Sequence, residues 1–139
     1  MNGYRELMTA DRQSSIDWPK PVYPLDARKA REEAAVVLRV FFSAEGKAER
    51  VLVETRVGSP RLAELAAQSA KSLQIPPQLL AGKAVRFFMD LPVQFMLSEG
   101  PSLSARLTKH LQRSSDRRLA AVEATRALAK EIAAEGGKK

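Results

Sequence analysis

The chain has 139 residues, 45% of them hydrophobic, and a formal charge of +7, which suits one domain with a single core. It contains no cysteine, which excludes a disulfide framework, a thiolate metal site and a cysteine nucleophile. The basic balance points to anionic surroundings (nucleic acid, anionic lipid or an acidic partner), and no apolar run approaches the roughly 18 residues of a membrane span.

Residues 1–18 read as an N-terminal approach segment. MNGYRELMTADRQ lacks the apolar stretch of a signal peptide, and Tyr4 to Met8 is predicted as a short helix. The prolines at 19, 21 and 24 of WPKPVYP then impose an extended, polyproline-like path. LDARKAREE, Leu25 to Glu33, is rich in helix formers and predicts a short helix. AVVLRVFF, Ala35 to Phe42, is a strand with Val36, Leu38, Val40 and Phe42 on one face and Val37, Arg39 and Phe41 on the other. The turn SAEGK follows, with Gly46 free to adopt positive φ. Ala48 to Thr55 is the second strand of a hairpin, with Val51 and Val53 inward.

GSP at 58–60 starts a helix, with Ser59 as N-cap and Pro60 in the first turn. Leu62, Leu65, Ala66, Ala70 and Leu73 recur at helical spacing, so the helix runs from Pro60 to Ser72. IPP at 75–77 stops it, and QLLAGK reads as a loop. VRFFMDLPVQFML, Val85 to Leu97, carries apolar residues at every odd position, the signature of a strand with one face in a core. Arg86, Phe88, Asp90 and Gln94 point outward. Pro92 cannot donate to a ladder, so the strand belongs at a sheet edge. Residues 98–139 form a basic helical tail with a narrow apolar stripe of Leu119, Val122, Ala129 and Ile132.

The order α-β-β-α-β predicts an α+β two-layer sandwich: a three-stranded antiparallel sheet with two helices on one face, plus the C-terminal helical tail. The third strand pairs at one edge of the hairpin, and pattern alone leaves open which edge. No catalytic constellation emerges. His110 reads as a surface histidine, and Glu32, Glu33, Glu45, Glu54, Glu64 and Asp90 read as solvated faces or weak ion pairs. Neither metal-ligand spacing nor a phosphate loop is present, so no metal, cofactor or enzymatic activity is expected. Arg106, Lys109, Arg113, Arg117 and Arg118 form a basic stripe in the tail. Glutamates interrupt the rest of it and no aromatic residues interleave, so nucleic acid is not the expected partner.

From PVYPLDAR onward the chain resembles the C-terminal domain of TonB family energy transducers. Tyr23-Pro24 followed by Ala27-Arg28 matches the family's opening pattern. Val36, Leu38, Val40 and Glu45-Gly46 match its first strand and acidic-Gly turn, and Val51 and Val53 its second strand. The helix from Pro60 with Ala66 and Ala70 follows, then Leu73-Gln74-Ile75-Pro76-Pro77, Gly82, and Pro92-Val93-Gln94-Phe95-Met96-Leu97. The likeness spans residues 19–97. Leu73 and Ile75 stand where the family has a tryptophan and a second aromatic residue, Ala34 or Ala35 replaces a glycine, and Ala48 replaces a valine.

The resemblance implies a non-enzymatic periplasmic adaptor. Such domains contact TonB-dependent outer-membrane transporters, of the kind serving siderophore and iron uptake, and bind a Ton-box-like peptide as an added strand beside their last strand. It thereby places partner binding on Val85, Arg86, Phe87, Phe88, Met89, Asp90 and Leu91. Tyr23 and Pro24 fix where the chain comes into the first helix. Family members that perform the full task carry an inner-membrane helix that meets motor proteins. This sequence reads either as the remainder after removal of such an anchor or as a soluble relative. A homodimer and a TolA-like envelope linker are the alternative roles.

Overall fold

Both parities of AAVVLRVFF are apolar apart from Arg39, and a strand that reads this way is buried on both faces. It forms the centre of the sheet. A computed structural model describes residues 5–6, 21–97, 102–111 and 117–136. In chain order the elements are β1 (Arg5–Glu6), α1 (Leu25–Lys29), β2 (Ala34–Phe42), β3 (Ala48–Gly58), α2 (Pro60–Ala70), β4 (Gln78–Leu80), β5 (Lys83–Val85), β6 (Phe87–Phe95), α3 (Ser102–His110) and α4 (Arg117–Gly136). The main sheet runs β1-β6-β2-β3, antiparallel except for the parallel pairing of β1 with β6. The α+β fold with a three-stranded antiparallel sheet is therefore as expected. The structure adds that the last strand lies beside β2, on the side away from β3.

The front face of the sheet carries the main core. Val36, Leu38, Val40 and Phe42 of β2 meet Phe87, Met89, Leu91 and Phe95 of β6 beneath Ala27 of α1 and Leu62, Ala66 and Ala70 of α2. The Phe42 and Phe87 rings stack at 4.7 Å. Val51 packs on this core, whereas Val53, expected inward, is half-exposed because β3 is an outer strand. Ser59 caps α2, its Oγ accepting from the Leu62 amide at 3.3 Å.

Helix α1 ends at Lys29, short of the expected Glu33. Arg31 takes φ 58, and the amides of Arg31 and Glu32 turn back to the carbonyls of Arg28 and Ala27. This is the Schellman pattern, which satisfies the last helical carbonyls and frees the following residues to start β2.

The tail forms a third layer. Leu107 of α3 and Ala124 and Leu128 of α4 bury Ala35 and Val57 on the rear face, with Met96, Leu103, Ala129 and Ile132 at the margin. Val122 is buried in α4, but Leu119, expected in the apolar stripe, is 38% exposed.

Three local expectations change. QLLAGK, expected as a loop, holds strand β4, a turn and the start of β5, which pair as a small hairpin; Ala81 and Gly82 in the turn both take positive φ, as a two-residue type I′ turn requires. The single strand expected over 85–97 thus divides at Arg86. Residues 5 and 6 lie in a strand, not in the short helix expected for Tyr4 to Met8. A helix of that length is marginal alone, while a sheet edge offers unpaired backbone groups.

Candidate functional site

An open sheet edge is a row of unpaired backbone donors and acceptors, and the two edges here differ. On β3 the register with β2 shifts between Val37 and Leu38 and between Phe41 and Phe42, leaving Glu54 and Glu49 as extra residues. Bulges and charges are the usual means of making an edge unreceptive. The β6 ladder runs through nine residue pairs without a shift.

Pro92 and Asp90 share a parity on β6, and the Asp90 carbonyl accepts from Arg118 Nη1 at 2.6 Å. The groups of this parity therefore point away from β2, so the missing N–H of Pro92 is a gap on the outer edge and not in the ladder. At the start of that edge, β1 pairs in parallel, Arg5 opposite Phe87 and Glu6 opposite Phe88. At its end, a groove of about 310 Å³ is lined by Pro21, Tyr23 and residues 92–96. Glu33 Oε2 accepts from the Leu97 amide at 2.8 Å and closes the strand.

Of the residues expected to bind a partner, Val85 lies in β5 and Arg86 in the link, so neither belongs to the docking strand itself. Phe87, Met89 and Leu91 send their side chains into the front core. Phe88 faces the rear, 5.7 Å from the Phe41 ring and 4.8 Å from the Arg39 guanidinium. Asp90, read from sequence as a weakly paired surface carboxylate, is only 6% exposed. It sits opposite Arg39 in the sheet, which donates to it at 2.8 and 2.9 Å, and Arg126 of α4 donates at 2.5 Å. Burial by itself would raise the Asp90 pKa, but hydrogen bonds from both arginines hold it below the ordinary range. Arg126 also reaches Glu54 on β3 at 3.1 Å.

Tyr23 and Pro24 stand where the chain comes into α1, with Pro24 as its N-cap residue in extended conformation. The Tyr23 hydroxyl donates to the Glu32 carbonyl, its ring meets Phe95 edge-on at 5.3 Å, and the Arg28 guanidinium lies 4.7 Å above it. Burial, with Glu33 nearby, raises its pKa. This tyrosine ties α1 to the end of β6 and also walls the groove.

Sequence reasoning missed β1 and Arg126, and it gave Arg118 only as part of the basic stripe. Arg39 and Asp90 are opposite charges on the outward parities of their strands, and the register alone pairs them. Of the basic stripe residues, Arg118 donates to the Asp90 carbonyl and Arg106 to Glu131 and Glu135 of α4, while Arg113 lies outside the described residues. His110 is half-buried, its Nε2 2.8 Å from Glu131 Oε1. Among the described residues no group of three or more His, Asp or Glu could hold a metal ion, and no helix is long and apolar enough to cross a membrane.

Residues 19–97 match the family described as Gram-negative bacterial TonB protein C-terminal. No curated protein matches the chain. Among solved structures, the solution NMR structure of the Pseudomonas aeruginosa TonB CTD is similar at 21% identity and a TM-score of 0.45, covering 62% of this chain and 87% of that one.

Proposed function

The chain belongs to the Gram-negative bacterial TonB protein C-terminal family, whose members are energy-transducer domains, and from that premise we propose that it is a non-enzymatic periplasmic adaptor. It binds an extended, Ton-box-like peptide of a TonB-dependent outer-membrane transporter as a strand added to the outer edge of β6. The proposed docking segment is the backbone of 87–95, with Val85 and Arg86 flanking it. The groove between Tyr23 and residues 92–96 receives a side chain of the visitor.

The observation that carries this reading is the pairing of β1 on β6: this edge takes an extended segment, and in parallel direction. The bulged β3 edge, with Glu49 and Glu54 as extra residues, supports the choice between the two. Strand addition supplies sequence-tolerant affinity through the main chain, and its hydrogen bonds resist shear along the strand.

The test is an NMR titration with synthetic N-terminal peptides of TonB-dependent transporters. Shifts concentrated in the amides of residues 87–96 are expected. Shifts confined to β3 or to α3 and α4, or no shift with any peptide, refute strand addition at β6.

A further inference from the structure

The docking edge proposed above is not bare. Residues 5 and 6 of the chain lie on it in register with Phe87 and Phe88, at the start of the stretch a visiting strand needs. Resting on that docking reading, we propose that β1 is an intramolecular competitor, a strand that holds the edge in the absence of a partner and is displaced when one arrives.

Four features fit this role. The pairing is short, two residues on each side, whereas β2 holds the other side of β6 through nine residue pairs. An invading strand of ordinary length therefore makes more ladder bonds than the one it removes. In addition, β1 brings only an arginine and a glutamate to the edge, residue types typical of strands that must not bind tightly.

Thirdly, among the described residues no strand pairs with β6 beyond Phe88; Arg118 holds the Asp90 carbonyl and Pro92 offers no N–H, but the groove adjoins residues 92–96. A visitor has a place to begin pairing before β1 leaves. Lastly, β1 runs parallel to β6, so any segment entering in parallel direction competes for the same outward groups. A covered edge also guards against pairing between copies of the chain, the hazard that every exposed edge strand carries.

Occupation of the site by β1 lowers the apparent affinity for a partner by the fraction of molecules whose edge is open. An edge open in roughly one molecule in ten weakens binding about tenfold, and removing the competitor restores it.

The probe is a synthetic peptide of residues 1–10, MNGYRELMTA, added in trans to the full chain and to the double variant Arg5→Pro/Glu6→Pro. Adjacent amides of a strand point to opposite sides, so one of the two prolines removes the amide hydrogen that β1 turns to β6, and the pair keeps the segment from pairing in either register. In the variant without peptide, the Phe88 amide, which shares the outward parity of Asp90 and Pro92, exchanges faster than in the parent chain. The peptide then shifts that amide in the variant at about one tenth of the concentration that the parent needs. Equal responses in the two chains, no response in either, or unchanged exchange at Phe88 overturns the inference.

The transporter peptides are titrated into the same two chains. Tighter binding to the variant supports competition, and equal binding to both refutes it. Binding to neither removes the docking reading, and the guarding role with it. The trans-peptide result then shows separately whether β1 pairs with the edge.

Discussion

Asp90→Asn tests how the rear layer is attached to the docking strand. The substitution keeps the shape of the side chain and removes its charge, leaving Arg39 and Arg126 facing a neutral amide in place of donors at 2.8, 2.9 and 2.5 Å from a carboxylate. Removing one partner of a buried ion pair costs about 3–5 kcal/mol. The side chains of Arg39 and Arg126 are 31% and 34% exposed, so water recovers part of that loss, and we expect about 2–3 kcal/mol at neutral pH.

The acid dependence gives a second signature. The folded-state pKa of Asp90 lies below its ordinary value, so its contribution is complete above the unfolded pKa of about 3.9 and is lost as pH falls through the folded value. The stability difference between parent and variant should hold constant from about pH 7 to about pH 5, then close below about pH 4. Urea denaturation followed by circular dichroism at several pH values measures it. A difference under about 0.5 kcal/mol at pH 7, the range of an ordinary surface change, or one that persists unchanged at acid pH, would refute the assignment of Asp90 as the buried charged joint.

Leu128→Ala should cost about 2–5 kcal/mol, because Leu128 is fully buried in the rear core. Amide shifts at Ala35 and Val57 should accompany it in NMR spectra, and shifts confined to α4 would count against the three-layer arrangement. Gly46→Ala should destabilise by about 1–3 kcal/mol from backbone strain alone. Gly46 has φ 89, and an added Cβ would collide with the Ile75 carbonyl, so a melting temperature equal to the parent's would contradict that approach. Tyr23→Phe removes the hydrogen bond to the Glu32 carbonyl and should cost about 1 kcal/mol in urea denaturation. With the ring and its contact to Phe95 retained, peptide affinity at the β6 edge should change little. A large loss of binding would instead assign the hydroxyl to the partner.

Local periodicity made the front half of the molecule legible. Alternation along β2 and β6 identified which residues build the front core, and Ser59-Pro60 marked the start of α2. The glycine at 46 marked the hairpin turn. In each of these the decisive contacts lie within a turn or a strand, and residue type reports directly on backbone geometry. Smaller elements escaped for the opposite reason: residues 5 and 6 and the β4–β5 hairpin are too short to show a period, and their state depends on what lies beside them.

Sequence by itself determined that an α-β-β-α-β unit with an apolar front face exists; the strand containing Pro92, expected at an edge, is flanked by β1 at its start and, among the described residues, has no strand on its outer side beyond Phe88. Tertiary structure alone decided that this strand joins the sheet beside β2. It also decided that the tail covers the rear face, and that Asp90 leaves solvent to meet Arg39 and Arg126, 51 and 36 residues away in the chain. The outward row of β6 is also partly held by residues 5 and 6 of the N-terminal approach segment. Alternation specifies which face of a strand is buried, but the edge bonds to whatever backbone reaches it, and no side-chain pattern encodes that choice.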